Sequence, residues 1–448
     1  MALKWEENED FASTTSEFIS WFTTECSAKL SPKVQLADLR ASGRGRGVIA
    51  THPILQGEQI LEIPRDAVLC AENSKLCTLL PDVFDGLDPW LSLTLVLIYE
   101  LLNKEQSRWK SYIDILPIHL DNLVFWTEDE LQELQGSHVK HRIGKDDANS
   151  MFMDRIAPIV RQHPSIFLPP QQNAFENSIG KQNLLDLCHW AGSIISSYAF
   201  DLEKPDSNGD NDEQGEEEDE DEAEEEVPKG MIPMADMLNA DADRYNARLF
   251  ANKTWTMEAT RAIEVNEEIL NDFGEMPSSE LLRKYGYVTG NYSKYDVVEF
   301  AFEEHVKRAL EGAIDLAPEK KASRISFLKK HDILDEVYLL ENNPDGNPKF
   351  EDRLLYTIFT LVVSDGAFQR LQSGKKIPKV DNDASVLDIL MKLIRIRMDD
   401  YATSIEEDNQ LLRGILDKSH LRFAIMVRLG EKILMANAFE SLQTQRQS

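Results

Sequence analysis

After one short helical stretch, apolar and polar positions alternate in the first part of the chain. The segment "STTSEFISWFTTEC" over residues 13–26 places its large apolar residues near one side of a helix, and its Ser and Thr residues can cap that helix. The segment "VQLADLR" over 34–40 alternates as a half-buried strand does, "GRGRG" over 43–47 breaks the alternation, and "ILEIP" over 60–64 resumes it. The pattern predicts a helix followed by strands and a tight turn.

Two distant segments repeat one pattern. They are "ATHPILQGEQIL" over residues 50–61 and "ATRAIEVNEEIL" over residues 259–270. Gly57 and Asn266 occupy the same place in the two copies, and both residue types accept a positive φ in a turn. We therefore predict two strand-turn-strand units that belong to one β domain, with a large insertion between them.

The insertion, roughly residues 70–225, has helical patterns with long apolar faces, as in "WLSLTLVLIYELLNKE" and "QNLLDLCHWAGSIISSYAF". After about residue 295 the pattern is helical again. It is clearest beyond Ser385, and Asp383 or Ser385 can cap the start of that helix. The apolar residues that recur there at helical spacings are Val386, Leu390, Leu393 and Ile394. A second, helical domain is predicted.

Length and composition set the broad class of protein. A chain of 448 residues that is 42% hydrophobic can build more than one core. No apolar run approaches the ~20 residues of a membrane span, and the acidic residues within 1–15 are unlike a signal peptide, so we expect a soluble intracellular protein. The cysteines form no Cys-x-x-Cys pair, which indicates neither a zinc cluster nor a disulfide framework and fits a reducing compartment. They are Cys26, Cys70, Cys77 and Cys188.

The net charge of -31 is concentrated in an acidic run, Asp206 to Glu226, which contains no Lys or Arg. Such a run repels itself and cannot bury apolar surface, so we expect a disordered loop over 205–228. It can serve as a solvated solubility loop, or it can attract a Lys/Arg-rich partner. The negative charge argues against direct binding of nucleic acid.

An almost uncharged segment, "MADMLNADADRYNARL", follows the acidic run and contains Asn239. Asn239, Asp241 and Asp243 alternate as the ligands of a calcium loop do. Such a loop needs glycine at its sixth position and glutamate at its twelfth, where this chain has Arg244 and Phe250. The mismatch disfavours calcium, and the local pattern makes Asn239 the end of a buried segment, because asparagine tolerates turn conformations.

Four features now stand in order: the "GRGRGVIA" turn, the helical insertion, "MADMLNADADRYNARL" and "EEILNDFGEMPSSELLRKYGYV". Together they resemble a SET-domain protein lysine methyltransferase of the Rubisco large-subunit methyltransferase type. Within that group, the chain is most similar to the enzymes that methylate ribosomal proteins in fungi. Each motif alone is weak, but the four in this order are specific, and the resemblance covers nearly the whole chain.

The resemblance implies an α+β fold, in which a SET-type β fold with a pseudoknot is interrupted by a helical insertion and followed by an all-α C-terminal substrate-binding domain. The implied divisions are an N-terminal helix over 1–30, a SET domain over 31–290 and the C-terminal domain over 295–448. The insertion over 70–225 then ends in the acidic loop.

The resemblance also implies a cofactor and partners. The cofactor is S-adenosylmethionine, without a metal ion. The substrate is a basic lysine-containing protein, expected to be a ribosomal protein of the large subunit. We further expect a monomer that binds neither nucleic acid nor membrane, located in the nucleus, with the cytoplasm as a second location.

Several residues correspond to the family's cofactor contacts. The resemblance assigns Arg44, Gly45 and Arg46 to the turn that holds the carboxylate and amine end of the cofactor, and glycine lets a backbone approach a ligand closely. From the residues alone, a plain hairpin turn remains an alternative.

Two further pairs belong to the implied cofactor site. Ser197 and Tyr198 match a contacting pair, although Tyr198 can equally be a core residue at a helix end. Asn239 matches the asparagine that touches the cofactor from a crossing segment, and a buried amide is costly unless it is satisfied. Ala240 stands where most of the wider family has histidine, which removes one cofactor contact.

The implied substrate side consists of Trp90, Asp236 and Tyr287. A Trp that begins a helix is often a core residue, so that alternative stays open for Trp90.

The resemblance places Tyr285 in the catalytic and cofactor sites. In "LNDFG" the family has its catalytic tyrosine where this chain has Phe273. Either Tyr285 or an ordered water supplies the lost oxygen, or the protein is slow or inactive.

The chemistry implied is an in-line displacement, in which a neutral lysine amine attacks the sulfonium methyl group. A free lysine has a pKa near ~10.4, so an apolar channel is needed to favour the neutral amine. Tyr285 and Tyr287 can supply the walls of that channel.

Two other classes of function remain open: a catalytically weak SET-fold module that binds a lysine-bearing segment, and an acidic chaperone for basic proteins.

Overall fold

The computed structural model describes residues 11–42, 44–167, 180–202, 227–312, 317–343, 345–374, 383–415 and 419–447. Nearly all of the predicted acidic loop over 205–228 lies outside these residues. None of the described helices is both long enough and apolar enough to cross a membrane.

The chain divides into two compact units. The first consists of Met1–Val124 with Gly144–Gly274, and the second of Phe125–Ile143 with Glu275–Ser448. The segment 125–143, which lies within the predicted insertion, therefore belongs to the second unit. The domain limits given by the resemblance stay a prediction.

Short strands dominate the SET-type part of the first unit. They form a four-stranded sheet in the order β1-β4-β9-β8 and two three-stranded sheets in the orders β10-β3-β2 and β5-β7-β6. The strands are β1 Lys29–Leu30, β2 Val34–Asp38, β3 Arg46–Ala50, β4 Gln59–Ile63, β5 Leu69–Cys70, β6 Ala199–Asp201, β7 Lys229–Met231, β8 Ala247–Ala251, β9 Trp255–Ala259 and β10 Glu268–Ile269.

The repeated segments adopt the same turn. Gly57 has φ +75° and Asn266 has φ +65°, so both stand in the left-handed region that the sequence predicted for them. The first copy leads into β4 and the second into β10. The prediction of two strand-turn-strand units is confirmed.

The two copies also pair with each other through a local two-fold arrangement. Ile54 and Ile263 exchange two backbone hydrogen bonds of 3.0 Å. The turn residue of each copy donates to the alanine that opens the other copy, at 2.8 Å to Ala259 and 2.8 Å to Ala50. The repetition in sequence is therefore a repetition in structure, and it brings the chain before the insertion against the chain after it.

The first unit contains helices α1–α5 and α7–α10, and α6 belongs to the second unit. The helices are α1 Phe11–Thr24, α2 Lys75–Leu79, α3 Pro81–Phe84, α4 Pro89–Leu102, α5 Lys110–Ile113, α6 Glu128–Gln132, α7 Lys145–Met151, α8 Ala157–Gln162, α9 Pro164–Phe167 and α10 Lys181–Tyr198. Helix α1 buries Phe18, Trp21 and Phe22 on one side, and the Trp21 ring stacks on Tyr112 of α5 at 6.3 Å. The predicted helical insertion is thus present, with α4 and α10 as its longest members.

Helix α4, the first long helix of the insertion, has a start that its local sequence determines. Asp88 Oδ1 accepts hydrogen bonds from the backbone N–H groups of Trp90 and Leu91, at 2.9 Å each, and Pro89 occupies the first helical position. The helix is buried around most of its circumference, which explains its continuous apolar sequence.

The second unit is mostly helical and also has a three-stranded antiparallel sheet in the order β11-β12-β13, so the C-terminal domain is not all-α as predicted. Its strands are β11 Val297–Ala301, β12 Val337–Asn342 and β13 Pro348–Phe350. Besides α6, its helices are α11 Ser278–Tyr285, α12 Lys307–Leu310, α13 Pro318–Lys330, α14 Asp352–Val362, α15 Asp365–Ser373, α16 Ala384–Met398, α17 Ile405–Gly414 and α18 His420–Gln447. The Asp383 side chain caps α16 at 2.9 Å from the Ser385 N–H, so Asp383 is the cap among the two residues that the sequence offered.

Buried polar bonds hold 125–143 within the second unit. The Glu431 carboxylate of α18 accepts hydrogen bonds from the hydroxyls of Ser137, at 2.7 Å, and Tyr401, at 2.6 Å. Gly136 lies against the Tyr401 ring, where a Cβ atom would come within 2.6 Å. Burial raises the pKa of Glu431, and the two donated bonds compensate a carboxylate that would otherwise be costly to bury.

Candidate active site

The turn before β3 is built on a glycine with positive φ. Gly45 has φ +64°, its carbonyl accepts from the Leu39 N–H at 2.7 Å, and no atom lies within 4 Å of the position a Cβ would take. The Arg46 side chain turns away to α1, where it donates to the Thr14 and Thr15 hydroxyls. Its backbone carbonyl is therefore the part of Arg46 that the turn presents to the segment around Asn239.

Asn239 binds this turn through its side-chain amide. Its Nδ2 donates to the Arg46 carbonyl oxygen at 3.2 Å and to Glu268 Oε1 at 2.8 Å. The Asn239 carbonyl in turn accepts from the Asn271 N–H at 2.8 Å. Asn239 thus joins the turn, the segment after the acidic run, and the chain around β10.

Glu268 is the acidic member of this cluster. Only 9% of its side chain is exposed, and it forms an ion pair with Arg44 Nη1. Gly47 makes the approach possible, because a Cβ there would lie 2.9 Å from Glu268 Oε1 and 3.0 Å from Asn239 Nδ2. Any side chain at position 47 would therefore displace these groups.

The neighbouring backbone is arranged around two more asparagines. Ala240 forms a parallel bridge with Asn271, so the predicted cofactor residue Ala240 lies beside the chain that leads to Phe273. The fully buried Asn246 accepts from the Leu270 N–H at 2.8 Å and donates to the Glu268 carbonyl at 2.9 Å. These bonds hold β10 along the edge that does not pair with β3.

The carboxylate that suggested a calcium loop has local partners. Asp241 Oδ1 accepts from the backbone N–H groups of Asp243 and Arg244 at 3.0 Å each, and Oδ2 forms an ion pair with Arg244 at 2.6 Å. Its role is to stabilise its own turn.

Asp236 is buried and paired with a tyrosine. It accepts a hydrogen bond from the Tyr112 hydroxyl of α5, and its other oxygen, Oδ1, is buried with no hydrogen-bond partner among the described residues. Burial raises the pKa of Asp236 to about 7, and burial beside Asp236 raises the pKa of Tyr112 well above its usual value. Met234, two residues before Asp236, has φ +77°, a strained conformation for a side chain of that size.

We expect Asp236 to make stability depend on pH. Its folded pKa lies above its unfolded value of 3.8, so folding disfavours the ionised form, and the stability of the native protein falls as pH rises from about 4 to 7. Asp236→Asn removes this titration and still accepts from Tyr112. The free energies of unfolding of the variant and the wild type, measured by denaturant titration, should diverge across that range by a few kcal/mol, on the order of 1.4 kcal/mol per pKa unit. Parallel curves would show that Asp236 is ionised throughout.

Ser197 and Tyr198 end helix α10, and Ser197 is buried. Tyr198 is an electrostatic neighbour of Tyr112 and contributes to raising the pKa of that hydroxyl, which places Tyr198 near the Asp236 pair.

Trp90, at the start of α4, stacks on Phe152 at 5.7 Å. Its ring also covers Gly192, where a Cβ would lie 2.6 Å away, so Trp90 has both a packing role and an edge that is not fully buried.

Phe273 follows the Asn271 bridge by two residues and is half-buried. Directly after it, Gly274 has φ +79° and donates its N–H to Asp272 Oδ1 at 2.8 Å. The structure therefore brings the turn at 44–47, Asn239, Ala240 and the start of the Phe273 segment to one side of β10.

Tyr285 and Tyr287 lie in the second unit. Their rings are 6.4 Å apart, with Gly286 at φ +77° between them as the end of α11. Burial raises the pKa of Tyr285 to about 12, so its hydroxyl stays protonated at neutral pH. The start of the same helix is fixed by Asp296, whose Oδ1 accepts from the Ser278 N–H at 2.9 Å.

Two protein-family models match the chain. "SET domain" matches residues 45–274, which is more than half of the chain, and "Rubisco LSMT substrate-binding" matches residues 322–434. The chain belongs to the SET-domain family of protein lysine methyltransferases. The predicted family is confirmed.

Relatives and solved structures agree with this placement of the SET-domain protein. Ribosomal lysine N-methyltransferase 4 of Saccharomyces cerevisiae is 34% identical over 372 residues, which cover 79% of this chain and 73% of the relative. N-lysine methyltransferase SETD6 of Homo sapiens is 27% identical over 448 residues, which cover 92% and 88%. The structure of Rubisco LSMT bound to AdoMet superposes with a TM-score of 0.68 at 20% identity, covering 97% and 92% of the two chains. The likeness confirms the predicted SET-type fold followed by a mainly helical C-terminal domain.

Sequence reasoning about this SET domain missed Gly47, Glu268, Asn246 and Tyr112. The last glycine of "GRGRG" was a usable signal for Gly47, because a further glycine in a turn often marks a close approach. Glu268 and Asn246 are polar residues next to apolar strand positions. Such a position indicates a buried, hydrogen-bonded side chain only when the bonding partner is also known. Tyr112 gave no signal, because its partner Asp236 is distant in sequence.

One cluster in the second unit has the composition of a metal site. The ligand atoms of His138, Glu304 and His305 lie within 4.8 Å of one another. However, His305 Nδ1 accepts from the Ala301 N–H at 2.9 Å, so its Nε2 carries the proton and faces Asp400 Oδ2 at 2.9 Å. Because both ring nitrogens are engaged, His305 is a structural residue of this unit.

Proposed function

We propose that this SET-domain protein transfers methyl groups from S-adenosylmethionine to a lysine of a large-subunit ribosomal protein. The observation that carries the proposal is the convergence of the turn at 44–47, Asn239 and Glu268 on one side of β10. The substrate class is supported by the name of the Saccharomyces cerevisiae relative.

The residues of this cluster fit the methionine end of such a cofactor. Asn239 Oδ1 accepts none of the hydrogen bonds formed among the described residues, so it can accept from an ammonium group. The space beside Gly45 is open, and Arg44 carries a positive charge that suits a carboxylate. When bound, S-adenosylmethionine supplies a methyl group on a positively charged sulfur.

The protein's own task is to present a neutral lysine amine. We propose, following the resemblance, that Tyr285 and Tyr287 form apolar walls around the lysine, because a dry channel lowers the pKa of an amine from its usual ~10.4. Trp90 and Asp236 are proposed to face the substrate. The acidic run over 206–226 would then favour the approach of a basic substrate through long-range attraction. We also propose that the protein is a monomer located in the nucleus.

The test is a transfer reaction with labelled S-adenosylmethionine and a ribosomal protein fraction. We expect label in a basic protein of the large subunit. Label confined to non-ribosomal proteins would overturn the substrate class, and binding of the cofactor without any transfer would favour the binding-module alternative.

A further inference from the structure

Glu268 is buried next to the proposed cofactor-binding groups and has no assigned role in the reaction. It is bonded to Asn239 at 2.8 Å and forms an ion pair with Arg44. In the other copy of the repeated segment, the corresponding residue is Gln59, whose side chain lies on the exposed side of β4 and donates to Glu62 at 3.1 Å. The charge at position 268 is therefore not required by the strand-turn-strand unit itself.

The bonds of Asn239 fix the orientation of its amide. Both partners of Nδ2, the Arg46 carbonyl and the Glu268 carboxylate, are acceptors only. An amide rotated by half a turn would place Oδ1 against two oxygens, which is unfavourable. Asn239 Oδ1 must therefore point away from Glu268, and the side chain presents an acceptor on its remaining side.

We propose that Glu268 is a positioning residue for cofactor binding, which acts by orienting the Asn239 amide and by holding Arg44 beside it. The inference rests on the proposed function. Glu268 does not touch the cofactor. It selects the amide orientation in which Asn239 accepts a hydrogen bond from a cationic amine, and it keeps a guanidinium next to the place for a carboxylate.

The glycine at position 47 supports this assignment. A Cβ there would meet both the Glu268 carboxylate and the Asn239 amide within 3.0 Å, and it would also meet the Leu39 side chain. The turn therefore requires a residue without a side chain at the place where Glu268 and Asn239 bond to each other. The close packing limits the room in which the two groups can rearrange.

The experiment is a double-mutant cycle on cofactor affinity, measured by calorimetry with S-adenosylmethionine. Glu268→Ala should raise the Kd about tenfold or more, because an amide hydrogen loses its charged partner and the orientation is no longer fixed. In the Asn239→Ala background, the same substitution should change the Kd much less, because its target is gone. Glu268→Gln keeps a carbonyl for Asn239 and should give a Kd between those of the wild type and Glu268→Ala.

The neighbouring carboxylate Glu267 provides the matched control, since it pairs with Arg261 at 2.6 Å. Glu267→Gln should leave the Kd unchanged, and the melting temperature of every variant is recorded without cofactor. A Glu268→Ala variant with a lower melting temperature and an unchanged Kd, or effects of Glu268 and Asn239 that multiply, would overturn the positioning role. If Glu268→Ala does not fold, the same cycle with Glu268→Gln decides. If the wild type itself gives no heat with the cofactor, the proposed function fails instead.

Discussion

Asn239→Ala is expected to weaken the binding of S-adenosylmethionine by on the order of 1 to 3 kcal/mol, or roughly 5- to 150-fold in Kd. The substitution removes the acceptor proposed for the cofactor. It also removes the two donated bonds that join the turn at 44–47 to Glu268, at 3.2 and 2.8 Å. Both losses act on the same site, so this is the largest single effect that we expect on affinity.

Titration calorimetry on purified wild type and variant measures this directly. Asn73→Ala is the matched control, because Asn73 Nδ2 likewise donates twice, to the carbonyls of Arg65 and Val68 at 2.9 and 2.8 Å, in the same unit. We expect the control to lose stability and to keep its cofactor affinity. Equal affinities for Asn239→Ala and the wild type would remove Asn239 from the cofactor site.

Phe273→Tyr is expected to raise turnover by about tenfold or more, which corresponds to about 1.4 kcal/mol of barrier. The family places a catalytic tyrosine at this position, and the substitution returns its hydroxyl to an aromatic ring that is already half-buried. Cofactor affinity should change little, because the cluster around Asn239 is untouched. The wild type is then a working but weakened enzyme, in which proximity carries much of the rate.

Single-turnover rates with saturating cofactor and substrate test this, and Phe250→Tyr, which adds a hydroxyl at an exposed position of β8, is the control. If Tyr285 supplies the missing oxygen, Tyr285→Phe should slow the wild type more than it slows the Phe273→Tyr variant. A fall in turnover with Phe273→Tyr would mean that the site is shaped around phenylalanine.

The parts of the structure that depend on local chemistry could be predicted from the sequence. The positive φ values of Gly57 and Asn266 follow from residue type and repetition, and the cap at Asp383 follows from the residues that it caps. The family fold was accessible because four motifs stand in a fixed order along the chain.

The parts that depend on distant partners could not be predicted. The orientation of Asn239 depends on Glu268, and the burial of Asp236 depends on Tyr112, pairs that are 29 and 124 residues apart. No periodicity connects such residues, so their bonds emerge only when the strands and helices are packed. Local reasoning placed Asn239 at the end of a buried segment and identified no bonding partner for its side chain.

We expect this chain to methylate a lysine of a ribosomal protein. Mass spectrometry of unmethylated large-subunit ribosomal proteins tests this after incubation with the purified protein and S-adenosylmethionine, with the Asn239→Ala variant in parallel. We expect one basic protein to gain methyl groups at a defined lysine with the wild type and far fewer with the variant. Methylation at equal levels with both proteins, or none on any ribosomal protein while the wild type binds cofactor, would contradict it.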